Sequence, residues 1–152
     1  MQRILFVCLG NICRSPTAEA VFRRMAQEAG LSVGADSAGT GDWHRGEAPH
    51  PPAVRAAKAR GYDLSALRAR QVRVEDFAVS DLILAMDRRN LADLEAMAPA
   101  GALARLGLFM DLAPELALRD VPDPWFTGEF DRTLDLIEAG CRGLVARLRG
   151  VA

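Results

Sequence analysis

Ile4-Leu5-Phe6-Val7-Cys8-Leu9-Gly10-Asn11-Ile12-Cys13-Arg14-Ser15-Pro16 decides the fold. Its first four residues are wholly apolar and partly β-branched, the pattern of a strand buried on both faces. Ser15-Pro16 reads as an N-cap residue followed by proline at the first helical position. Ala18, Val21, Phe22, Met25 and Ala29 then recur at helical spacing, and Gly30 closes the helix. A strand that runs through a tight loop into a helix N-terminus is the first half of a βαβ unit.

The alternation continues along the chain. Val33 to Ser37 reads as a second strand, followed by the glycine-rich stretch Gly39 to Pro52. A short helix over Ala53 to Arg60 ends at Gly61. Asp81 to Met86 is the clearest later strand, Asp87 to Met97 its helix, and Ala104 to Leu108 a weaker fourth strand. From Glu129 to Leu148, one stripe carries Phe130, Leu134, Ile137, Cys141, Leu144, Val145 and Leu148, a long amphipathic helix. Strands alternating with helices imply an α/β chain with a parallel sheet and helices on both faces. Such sheets carry their sites at the carboxyl ends of the strands. The residues just after Val7 therefore matter most.

At 152 residues the chain is expected to form one domain over 1–152, with a core large enough to need no staples. Half the residues are hydrophobic and 26% are charged, which excludes a disordered or fibrous chain. The net charge of −1 gives no electrostatic case for nucleic acid or an anionic membrane surface. The N-terminal apolar run is too short for a signal peptide, and no stretch reaches the roughly 18 apolar residues of a membrane span. Three cysteines, Cys8, Cys13 and Cys141, do not make a secreted disulfide framework. A soluble, cytoplasmic protein with reduced thiols is expected. Lys58 is the only lysine, and the arginine excess has no functional reading beyond Arg14.

The loop from Cys8 to Ser15 carries a cysteine and an arginine with five residues between them. Residues between a strand end and a helix start can curl until their N–H groups point inward, which makes a nest for a tetrahedral oxyanion. Gly10 and Asn11 tolerate the left-handed angles such a curl needs. Arg14 closes the ring with a planar fork onto two phosphate oxygens, which a lysine could not match. The helix N-terminus, the N–H donors and the guanidinium all favour the thiolate of Cys8, placed for in-line attack on phosphorus. The bland reading makes Cys8 a small buried hydrophobe and Arg14 a solvated helix-start residue. A leaving oxygen also needs a proton, and Asp120 and Asp123 are both candidates in the loop Arg119 to Pro124. Chemistry alone does not choose between them.

Cys8 to Pro16 resembles the signature of the low-molecular-weight protein tyrosine phosphatases. Asp36-Ser37-Ala38-Gly39-Thr40, Trp43-His44, Arg68-Ala69-Arg70-Gln71, Leu84-Ala85-Met86-Asp87 and Asp123-Pro124-Trp125 follow in that family's order and approximate spacing. The resemblance covers nearly the whole chain. It implies a three-layer, Rossmann-like α/β fold with a four-stranded parallel sheet. It also implies hydrolysis of phosphotyrosine through a cysteinyl-phosphate, with no cofactor and no metal.

The family's roles then fall on particular residues. Cys8, Arg14 and Asp123 are implied as catalytic, with Asp123 as acid in the first step and base in the second; Pro122 and Pro124 restrict the backbone around it. Leu9, Gly10, Asn11, Ile12, Cys13 and Ser15 line the phosphate cradle, with Trp43 and Trp125 as aromatic walls for a flat ring. Ser15 steadies the leaving thiolate, a role compatible with an N-cap, while Asn11 braces the loop and Ser37 bonds to it from outside. Trp125 and Phe126 stand where many relatives carry tyrosines, which removes those phenols as phosphorylation sites. Trp43 has the alternative of a half-buried packing residue. Cys13 is either a redox guard that forms a reversible disulfide with Cys8 or an incidental thiol. Cys141 belongs to the core stripe. The implied partners are a phosphotyrosine protein, a tyrosine kinase that supplies it, and inorganic phosphate as product, for a monomer or weak dimer.

Other readings fare worse. Cys8, Cys13, His44 and His50 lie outside zinc-finger spacing, and zinc would occupy the thiolate that the chemistry needs. The two histidines read as residues of a proline-rich surface segment. Thioredoxin-coupled arsenate reductases resemble the first loop but need a further cysteine pair in mid-chain, and Ser80 to Met97 has none. A non-catalytic phosphate-binding module would be expected to have lost Cys8, Arg14 or Asp123. Phosphoarginine phosphatases share the loop but typically carry threonine where this chain has Ile12.

Overall fold

The computed structural model describes residues 2–150. Four strands, β1 (Gln2–Cys8), β2 (Val33–Gly39), β3 (Leu82–Ala85) and β4 (Arg105–Leu108), form one parallel sheet in the order β2-β1-β3-β4. β1 pairs with β2 from Gln2–Val33 to Cys8–Gly39 and with β3 from Ile4–Leu82 to Val7–Ala85. Being central, β1 is apolar on both faces.

Its alternating side chains separate two cores. Ile4, Phe6 and Cys8 face helices α1 (Arg14–Glu28), α2 (Pro51–Ala59) and α6 (Phe130–Leu148), with Phe22, Phe109, Leu134 and Ile137 buried between them. Leu5 and Val7 face α3 (Asp76–Val79) and α4 (Arg88–Met97), with Phe77, Ile83 and Leu94. The architecture is the expected three-layer α/β fold. A short helix α5 (Pro124–Thr127) precedes α6. Among the described residues, no helix is long and apolar enough to cross a membrane.

Several element ends differ from the sequence expectation. α1 begins at Arg14 with Cys13 in the cap position, so Ser15 is not its N-cap. The Ser15 hydroxyl is occupied elsewhere in the loop, as the site geometry makes plain. α1 ends as expected: Gly30 takes φ 71°, Leu31 N donates to Ala26 O and Gly30 N to Gln27 O. α2 starts earlier than Ala53, because Pro51 and Pro52 fit the first turn, where no N–H is needed. β2 runs on to Gly39, at the end nearest the Cys8 loop.

Candidate active site

The end of β1 delivers Cys8 into a cleft lined by Cys8, Leu9, Gly10, Ile12, Cys13 and Arg14, with Trp43, His44, Asp123, Trp125 and Phe126 around its mouth. The loop reaches this curl through one left-handed residue, Asn11, at φ 56°. Gly10 does not share that conformation, contrary to expectation. A side chain there would instead press on the His44 ring, 3.0 Å from its Cδ2. Gly39 is required by close approach: a Cβ would sit 2.7 Å from Leu9 O.

Asn11 organises the loop from behind. Its amide donates to Ser15 Oγ (2.8 Å) and Ser37 Oγ (3.0 Å), its oxygen accepts from Arg70 N (3.0 Å), and its backbone N–H points at Cys8 Sγ (3.3 Å). Ser15 Oγ lies 3.0 Å from Cys8 Sγ and 3.3 Å from Ala38 O, and its single proton can turn to either. Ser37 passes a hydrogen bond to Glu19 Oε1 at 2.7 Å. Glu19 is itself buried, which holds its carboxyl above the usual range against the bonds from Ser37 and Arg23. Asn11, Ser15, Ser37 and Glu19 thus line the loop's back as one hydrogen-bonded chain, as buried polar groups require.

Arg14 is also buried. Its Nη1 donates to Asp87 Oδ2 (2.7 Å) and Val121 O (2.9 Å), while Nη2 lies 3.5 Å from Asp123 Oδ2. Burial opposes the charge, but Cys8, Asp87 and Asp123 outweigh it and push Arg14 above its already high range. Asp87 also caps α4, its Oδ1 accepting from Asn90 N at 2.7 Å. Asp123 caps α5 through Trp125 N (3.0 Å), so its loop becomes a helix start. Of the two candidate aspartates, only Asp123 lines the cleft.

The walls are aromatic. Trp43 and Phe126 are largely exposed and Trp125 is half exposed, so Trp43 is not a packing residue. Trp125 is steadied by the His50 ring, 4.7 Å between centroids, with His44 at 6.0 Å. The two histidines lie in the proline-rich surface loop before α2, as expected, and from it His44 reaches the cleft and His50 packs on Trp125. His44 Nδ1 lies 3.0 Å from Glu47 Oε2.

All three cysteines are free. Burial, then the charges of Cys8 and Asp123, push the Cys13 thiol up to about 12, so it is protonated beside Cys8. Cys141 is buried in the core against Ala18 O. Among the described residues no group of three or more His, Cys, Asp or Glu could hold a metal ion. Asp87 and His44 lie in motifs that the sequence shows but carry no site role there, and Glu19 has no sequence signal at all. The end-of-strand motif Leu84 to Asp87 was the one available signal for Asp87.

The family model for low molecular weight phosphotyrosine protein phosphatase matches residues 3–151. The low molecular weight protein-tyrosine-phosphatase YfkJ of Bacillus subtilis is 42% identical over 151 residues, spanning 98% of this chain and 97% of that protein. Its crystal structure superposes with a TM-score of 0.94 at 41% identity, over 99% of this chain and 96% of that one. A protein tyrosine phosphatase from Entamoeba histolytica, crystallised with Hepes in the active site, gives 0.93 at 34% identity, over 99% and 98%. A Drosophila arginine phosphatase gives 0.91 at 29% identity, over 98% of each chain.

Proposed function

The chain belongs to the low molecular weight phosphotyrosine protein phosphatase family, and we propose that Cys8, Arg14 and Asp123 carry out its hydrolysis of phosphotyrosine in proteins. The observation that carries this assignment is the convergence of the Cys8 sulfur, the buried Arg14 guanidinium and the Asp123 carboxyl on one aromatic-walled cleft.

The Cys8 thiolate attacks phosphorus in line, the bond from phosphorus to the tyrosyl oxygen breaks, and Asp123 gives its proton to that oxygen. Arg14 and the loop N–H groups hold the equatorial oxygens as charge builds on them. Asp123 then takes a proton from water as the water attacks the cysteinyl-phosphate. The sulfur–phosphorus bond breaks, the Ser15 hydroxyl steadies the returning thiolate, and inorganic phosphate leaves. The 3.5 Å contact between Arg14 and Asp123 is much looser than the 2.7 Å bond to Asp87. Phosphate can therefore replace Asp123 on the guanidinium while Asp87 keeps it in place.

Leu9, Gly10, Asn11, Ile12 and Cys13 shape the cradle, and Ser37 holds it from outside. Trp43 and Trp125 flank a flat ring, and Ile12 offers a guanidino group no polar contact, which favours phosphotyrosine over phosphoarginine. Cys13 serves as a redox guard. Peroxide oxidises Cys8 to a sulfenic acid, and the Cys13 sulfur displaces its oxygen as water to form a disulfide. We place the enzyme in the cytoplasm as a single-domain monomer or weak dimer, opposing a tyrosine kinase. Initial rates on phosphotyrosyl, phosphoseryl and phosphoarginyl peptides test this reading. Turnover is expected on the first, lost with Cys8→Ser. A preference for phosphoarginine, or turnover surviving Cys8→Ser, would refute it.

A further inference from the structure

Asp120 stands three residues before Asp123, yet its carboxylate turns away to grip the first residue of α4. Its Oδ1 accepts from the Arg88 amide (2.9 Å) and Nε (3.3 Å), and its Oδ2 from Nη2 (3.1 Å) and Nε (3.4 Å). That amide is one of the N–H groups a helix start leaves without an intrahelical partner, where a negative charge is favoured. The preceding residue, Asp87, holds Arg14. Two consecutive residues after β3 thus hold both halves of the site.

Between the two aspartates the chain has little slack. Val121 is fully buried and pinned on both backbone groups, N to Met86 O (2.8 Å) and O to Arg14 Nη1 (2.9 Å). Pro122 follows and Pro124 closes the segment, which narrows the backbone angles on either side of Asp123. With Asp120 on Arg88 and Val121 on Met86 and Arg14, two adjacent anchors set the path of the chain into Asp123.

We propose that Asp120 is a positioning residue for the acid: its fork with Arg88 sets where the Asp123 carboxyl meets the leaving oxygen. The proposal rests on Asp123 being the proton donor. Arg88 is mostly exposed, so the pair contributes little to global stability. Its value is geometric, since a misplacement of about 1 Å can cost on the order of 10²-fold in rate.

The test measures kcat/KM over aryl phosphates of rising leaving-group pKa for the wild type, Asp120→Ala, Arg88→Ala, Asp123→Asn and Asp120→Ala/Asp123→Asn. Asp120→Ala is expected to lose about tenfold on the poorest leaving groups and under about threefold on activated esters, with inhibition by inorganic phosphate unchanged. Arg88→Ala is expected to show the same pattern more weakly, because the backbone amide at position 88 still binds Asp120. Being at an exposed position, it keeps the test decisive if Asp120→Ala does not fold. In the Asp123→Asn background, Asp120→Ala should add nothing. A loss equal across all esters, no loss, or losses that multiply in the double variant would overturn the positioning role alone. An Asp123→Asn profile as flat as the wild type would overturn the acid assignment and this proposal with it.

Discussion

The Cys8–Ser15 loop and the Asp120–Thr127 segment meet across one cleft but are held in opposite ways. In the first, Cys8 and Asn11 to Ser15 are buried, and Asn11 alone ties the loop to Ser15, Ser37 and Arg70. In the second, Trp125 is 51% and Phe126 79% exposed, and the anchors are Val121 on Met86 and Arg14, and Asp120 on Arg88. The contrast matches the work assigned to each. A nest that stabilises transition-state charge gains from being fixed before substrate arrives, since nothing has to reorganise during reaction. A proton donor must meet a leaving oxygen on a ring that enters and departs. It is better set on a segment that leaves the cleft open.

Arg14→Lys breaks the first half. An ammonium keeps the charge but cannot bond Asp87 and Val121 O while offering a planar pair to phosphate. About 10³-fold should be lost from kcat/KM, by the scale for removing one preorganised oxyanion donor. The loss should be similar on every ester, because all share the phosphoryl group. Steady-state rates on aryl phosphates check this, and a loss confined to poor leaving groups would contradict it. Asp123→Asn touches the other half and should cost less, about 10²-fold on phosphotyrosine, the low end for general acid catalysis. Its loss should shrink as the leaving group improves. Together the two variants separate binding of the phosphoryl group from delivery of the proton.

The first half was also the more legible in the sequence. Cys8, the curl and Arg14 are neighbours along the chain, so residue type and spacing carried the chemistry, and the central strand's apolar run fixed the sheet around it. The fold departs from the local pattern there only in detail. A serine one residue inside a helix looks like a cap in sequence; the family resemblance points its hydroxyl at Cys8 instead, and the fold places it there. Asn11 and Gly10 both tolerate left-handed angles, and the loop uses Asn11 alone. The second half depends on pairs far apart in sequence: Arg14 with Asp87, Arg88 with Asp120, His50 with Trp125. No local pattern announces such pairs. Asp120 and Asp123 could not be ranked from spacing for the same reason, and α5 is too short for a periodic signal.

The fixed half also has a support that acid should weaken. The segment behind Asn11 is tied to β2 by Gly39 N to Arg70 O and Val72 N to Gly39 O, both 2.8 Å. Arg70 grips buried Asp76 with two bonds, at 2.9 and 3.0 Å, and Asp36 with a third, at 2.9 Å, while Arg73 N adds one to Asp76 at 2.7 Å. Burial works against the Asp76 charge, but the Arg70 fork and the Arg73 amide outweigh it and hold the carboxyl below its usual range. A carboxyl whose pKa falls on folding adds stability above its unfolded pKa, about 3.9 for aspartate. That stability is lost as pH falls through the lower folded value. Asp76→Asn should therefore lower Tm near neutrality and flatten its fall below about pH 4, each kcal/mol lost costing about 2–4 °C at this chain length. Melting curves from pH 7 to 3 read this directly, and parallel curves for the two proteins would show that Asp76 is not the acid-sensitive tie. The leaving-group dependence of kcat/KM should stay as in the wild type, because Asp76 braces the cradle and makes no contact with the segment that carries the proton.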